Sequence, residues 1–185
     1  MRSLPRRWYH RLAERRDGPL SAHRATARLS AYVYGNILAL AAVVVATPTS
    51  VEHGTAVVVV IGTGVTTFFA HVFAEFIAHA TISADDTTPH EERRLLALEE
   101  LRDAVPIASS ATFPALILLS GMFDILESGW AVLIAGAIIV VRIASVPLVA
   151  ERVRGNPLSL RVLVAGLATA GVAALVVLLK VLIGH

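Results

Sequence analysis

An all-helical membrane protein with five transmembrane helices is the fold class that three features of this 185-residue sequence predict. Hydrophobic residues make up 56% of the chain and charged residues 16%, with a mean hydropathy of +0.70. Soluble domains lie nearer half apolar and a quarter charged. Five segments stay apolar over roughly the 20 residues that a helix needs to cross a bilayer core of about 30 Å. The basic residues gather in alternate connections, as the positive-inside rule requires of a polytopic chain.

The first 28 residues hold eight arginines and form a basic N-terminal segment, with the membrane domain expected over 29–185. No A-x-A-like site follows the first apolar run, so this is not a cleavable signal peptide. LPRRWYHRLAERR resembles an amphipathic surface helix, with Trp8 and Leu12 one turn apart among arginines. Such a helix lies on anionic lipids of the cytoplasmic leaflet; a solvated basic tail that only sets topology is the alternative. Span one is Leu29–Ala46, closed by Thr47 and Pro48, and span two is Thr55–Ala80. Spans three, four and five follow at about Ala104–Ile125, Trp130–Ala150 and Leu160–Ile183.

Three arginines lie in a polar insert over 81–103, and Arg152, Arg154 and Arg161 join spans four and five. The connections TPTSVEHG and FDILESG carry no basic residue. With five spans this sets the N-terminus in the cytoplasm and the C-terminus outside, where Lys180 could snorkel to the surface. Fifteen of the sixteen basic residues are Arg, and Ala and Val are abundant. This reads as high-GC bacterial codon usage, and so as a bacterial cytoplasmic (inner) membrane. With no cysteine, disulfides and thiolate metal sites are excluded.

In the insert, Thr88-Pro89-His90-Glu91 is a capping-box sequence with proline at the first helical position. The short cytoplasmic amphipathic helix it opens, about 89–103, puts Leu95, Leu98 and Leu101 on one stripe and Glu92, Glu99 and Asp103 on another. The carboxylate stripe either attracts cations or is a solvated face behind a leucine face docked on the bundle.

Span two carries the residues that bear most on function. His71, Glu75 and His79 recur every four positions, so they share one helix face. Their heights differ by about 6 Å per step, which lets neighbours in the row share one ion. Imidazole and carboxylate suit divalent Fe, Zn, Mn or Ni. They suit a proton relay as well, since imidazole titrates near neutrality and burial draws carboxyl groups toward the same range. Arg142 in span four lies at an overlapping depth, so a structural Glu75–Arg142 ion pair is a third reading. Asn36 in span one is an interior polar group that, with Arg142, would line or gate a path. Pro106, Pro114 and the hydroxyl residues between them predict a kinked span three. Asp124 and Glu127 at its outer end read as an acidic vestibule or as solvated loop charges. Gly166, Ala170 and Ala174 form a small-xxx-small ridge in span five, which favours tight helix packing or dimerisation, and a homodimer is expected.

Five spans, a Glu-bearing cytoplasmic insert and the AHVFAEFIAHA segment together resemble the vacuolar iron transporter (VIT) family. In that family span two ends in a pattern like M-x-x-G-E-Y-V-S, which sets Glu75 at the Glu and His71 at the Met. The resemblance implies metal-ion transport with Glu75 and His71 in contact with the ion. The family's intramembrane Asp of span one has no counterpart, YGNILAL offering Asn36, and its metal-binding insert is longer. The chain also resembles short actinobacterial integral membrane proteins with a YVYGxxLxLAAxV opening, from which no activity carries over.

The expected function is therefore an integral membrane transporter or binding protein for a divalent cation or protons, built on Glu75, His71 and His79. The alternative is a non-catalytic membrane scaffold or partner subunit in which Glu75 and Arg142 form a structural pair. The sequence shows no nucleophile–base pair and no nucleotide motif, and GTGVTT lacks the lysine of a phosphate loop, so an enzyme is not expected. Nucleic-acid binding is not expected either, because topology accounts for the basic tail.

Overall fold

The computed structural model describes residues 22–82, 90–153 and 159–183. Among these every regular element is an α-helix: α1 (Ala22–Val44), α2 (Pro48–Glu52), α3 (Thr55–Ile82), α4 (His90–Ser110), α5 (Thr112–Met122), α6 (Ser128–Ala144), α7 (Val146–Val153) and α8 (Leu160–Ile183). Four stretches are long and apolar enough to cross a membrane: Arg24–Val44, Thr55–Ala78, Leu98–Met122 and Ser128–Glu151. In α8 the apolar stretch within the described residues is Leu160–Leu175. The proposed surface helix over residues 4–16 lies outside the described residues.

Two spans are broken where proline predicts it. Pro114 has no N–H to donate to the carbonyl of Ser110 four residues back, and the helix interrupts at Ala111, between α4 and α5. Pro147 does the same to Ile143, and the chain turns at Ser145 between α6 and α7. Pro106, in contrast, sits inside α4 without ending it. The α1–α2 and α5–α6 connections are tightly capped. Thr47 and Ser50 form a reciprocal capping box at the start of α2. The Glu127 carboxylate accepts from the backbone N–H groups of Gly129 (3.0 Å) and Trp130 (3.3 Å) to open α6. Glu127 is thus a helix cap, which explains why α6 begins before Trp130.

The core runs along α1, α3, α5 and α6. Ala131, Ala135, Ile139 and Ile143 are fully buried at four-residue spacing on α6, and Leu118, Val60 and Val51 close around them. Lipid tails are as apolar as these side chains, so close fit rather than water exclusion selects small residues here. The outward faces carry large apolar groups such as Phe69, Phe73, Leu133 and Leu167.

Three features refine the expectations. The helix of span one begins ahead of Leu29, because α1 runs unbroken from Ala22 and takes Arg24 and Arg28 into it. The insert is not a separate amphipathic helix, since α4 continues from His90 through Asp103 into the third span. Among the described side chains Leu98 and Leu101 are exposed rather than docked, Asp103 is largely covered against α1, and Glu99, itself 45% exposed, reaches α1 through Arg24. Finally, the small-residue ridge of α8 makes a tight packing contact within the chain. Gly166 and Ala170 are buried within one chain, and a Cβ on Gly166 would fall 2.3 Å from the Ala144 carbonyl oxygen. Ala174 alone of that ridge is exposed.

Candidate polar sites in the helix bundle

At the end of the bundle where α1 begins, two arginines and two carboxylates interlock. Arg24 and Arg28 are one turn apart on α1, and Glu99 and Asp103 one turn apart on α4, so the two rows meet in register. Arg24 Nη1 lies 2.7 Å from Glu99 Oε2, and its Nε donates to Asp103 Oδ2 at 3.1 Å. Arg28 Nε lies 3.7 Å from Asp103 Oδ1. The expected cation-attracting stripe is therefore, at Glu99 and Asp103, an ion-pair seam between helices; the Glu92 side chain lies outside the described ones. Asp103 retains 17% of its side-chain exposure, so the pairs are only partly screened by water. Asp103→Asn is expected to lower stability by about 1 kcal/mol, and Glu99→Gln by less, read from thermal unfolding in detergent at low and high salt.

On α3 the polar residues lie along the side of a helix packed on one flank only. His71 lines a groove of about 470 Å³ with Tyr34, Thr66, Thr67, Ala70 and Ala74. Thr63 and Thr66 return their hydroxyl hydrogens to the Val59 and Gly62 carbonyls at 2.7 Å each. This local bonding makes a hydroxyl tolerable at membrane depth. Glu75, one turn beyond His71, is half-buried and engaged by a neighbouring group. His79 follows on the same helix, but its side chain lies outside the described ones. Among the described residues no three His, Asp or Glu side chains gather around one point as a metal site.

Arg142 does not meet Glu75. Among the described residues no ion pair joins the two, and the guanidinium turns instead to aromatic groups on α1 and α5. Its Nε donates to Tyr32 Oη at 3.1 Å, and its central carbon stands 5.2 Å from the Tyr32 ring centre and 5.5 Å from that of Phe113. Cation–π contact of this kind spreads the charge over two neutral faces. Nη1 is buried with no hydrogen-bond partner. Asn36, fully buried, donates through Nδ2 to the Tyr32 carbonyl oxygen at 2.7 Å, while its Oδ1 has no partner. Tyr32 thus links the two residues expected to line or gate a path. Asn36 sits beside the tightest crossing of α1 on α4, where a Cβ on Gly35 would lie 2.8 Å from Ile107 Cα.

Sequence reasoning singled out His71, Glu75, Asn36 and Arg142 but offered Glu75 as the partner of Arg142 and missed Tyr32 and Phe113. It also missed Arg24 and Arg28 as partners of the acidic stripe. For the latter a signal existed, because both rows repeat at four residues with opposite charge. Comparison of the chain with protein-family models, curated proteins and solved structures finds no match.

Proposed function

We propose that this is a five-span integral membrane protein of a bacterial cytoplasmic membrane that binds or moves a divalent cation or protons along the His71–Glu75–His79 face of α3. The observation that carries the reading is the groove in which His71 stands with Thr66, Thr67 and Tyr34. Ionisable groups at membrane depth are retained where they serve a path or a site. His71 and Glu75 supply adjacent nitrogen and oxygen ligands, and His79, about 12 Å along the helix from His71, extends the path beyond that pair. The same imidazole and carboxyl groups pass protons near neutral pH.

The 24-residue length of α8 supports a fifth span. The arginine-rich start of α1 and the basic connections support a cytoplasmic N-terminus. The scaffold alternative, with Glu75 and Arg142 as its structural pair, has no such contact among the described residues.

Purified protein in liposomes provides the test. His71→Ala and Glu75→Ala are each expected to lower the flux of Fe²⁺, Mn²⁺, Zn²⁺ or Ni²⁺, or of protons, by roughly 100-fold, as loss of a ligand or its support does elsewhere. Both variants should keep the thermal stability of the parent within about 1 kcal/mol, because each side chain is only half-buried. Flux that persists unchanged in both variants rules the site out.

A further inference from the structure

A cation path on α3 leaves Arg142 unexplained. Arginine is the cationic side chain that pairs with carboxylates and other anions. Its two aromatic partners place it deep: Tyr32 stands eight residues beyond Arg24 on α1, and Phe113 ten beyond Asp103 on α4 and α5. At 1.5 Å per residue the guanidinium lies roughly 10–15 Å inward from the Arg24–Asp103 seam. That is near the middle of a hydrocarbon core of about 30 Å. A cation there is strongly disfavoured without an opposite charge. Among the described residues no carboxylate reaches it; its contacts are one phenol oxygen and two ring faces.

The hydrogen-bonding inventory points the same way. Tyr32 Oη accepts the Nε proton, which leaves the phenol hydrogen free to donate. Nη1 has donors and no acceptor. Charge and donors therefore converge from α1 and α6 with no protein acceptor between them among the described residues. Phe113, 58% exposed, sets its ring against the guanidinium from α5.

We infer that Arg142, Tyr32 and Phe113 form a binding site for a small monovalent anion, a halide or a compact oxyanion such as nitrate or a short carboxylate. The anion accepts from Nη1 and from the Tyr32 hydroxyl, and it supplies the charge the guanidinium lacks. A lipid phosphate offers the same acceptor chemistry from a different source. Its place at the bilayer surface lies about 10 Å or more from this depth, which favours the diffusible anion.

The experiment uses the full chain in uncharged detergent, with potassium gluconate exchanged for chloride, nitrate or acetate at constant ionic strength. A bound anion raises the unfolding temperature saturably, and the midpoint of that rise gives its affinity. The parent is expected to show such a rise with at least one of the three anions. Arg142→Gln and Tyr32→Phe should each weaken the apparent affinity by roughly tenfold or more. Arg142→Lys, which keeps the charge and loses the Nε bond, should fall between. The proposal is overturned by no saturable rise in the parent, by an equal rise in folded Arg142→Gln, or by stabilisation with phosphatidylglycerol alone. Should Arg142→Gln fail to fold, Tyr32→Phe decides, because it retains the ring; unchanged affinity in it overturns the site.

Discussion

Gly166→Ala is expected to destabilise the protein by about 3 kcal/mol, at the upper end of the usual cost of overpacking a well-filled contact. The added Cβ would stand 2.3 Å from the Ala144 carbonyl oxygen and 3.1 Å from Leu148 Cδ1. The first of these is backbone and cannot rotate away, so α8 must shift off the end of α6. That end is where the chain turns at Ser145, so the shift also strains the junction with α7. Gly171, one helical turn and a residue further along α8, is the internal control. A Cβ there meets no atom of a described residue within 4 Å, so Gly171→Ala should be neutral or stabilising by up to about 1 kcal/mol through helix propensity. Thermal or denaturant unfolding in detergent separates the two; equal behaviour of both variants would mean that α8 does not pack on α6 through Gly166.

Gly35→Ala should cost about 2 kcal/mol by the same mechanism at the α1–α4 crossing. Its Cβ would approach Ile107 Cα to 2.8 Å and Ser110 Oγ to 2.9 Å. The hydroxyl can turn aside, but Ile107 Cα cannot, so the helices must separate by some tenths of an ångström. The separation propagates along rigid helices to the Arg24–Glu99 and Arg24–Asp103 pairs, which depend on the same spacing. A double-mutant cycle of Gly35→Ala with Asp103→Asn should therefore show coupling of at least about 0.5 kcal/mol. Strict additivity would mean that the crossing and the ion-pair seam act independently.

These expectations rest on contacts of different legibility. Apolar runs and proline positions need only neighbours in sequence, and so the helices at α1, α3, α6 and α8 and the break ahead of Pro114 are readable from the chain. The face carrying His71 and Glu75 is likewise a matter of four-residue spacing. Which face of a helix turns inward is another matter in a membrane. In water the leucine stripe of α4 would be the buried one, because leaving it exposed is unfavourable. At this end of the bundle the opposite charges of α1 and α4 decide instead, drawing Asp103 against Arg24 and Arg28 and leaving Leu98 and Leu101 out.

The fate of Arg142 has the same origin. Depth along a helix follows from counting residues from its ends, and by that count Glu75 and Arg142 do overlap. The direction a residue faces across the bundle, and which helix stands beside it, depend on how the helices surround one another. The bundle places α1 and α5 beside Arg142, so Tyr32 and Phe113 receive its guanidinium. An all-helical chain, its apolar segments and the polar residues set within them thus follow from local order along the sequence. Which of those polar residues meet was settled by the tertiary structure alone. Helical periodicity is local, whereas pairing across helices follows from close packing of small residues such as Gly35 and Gly166.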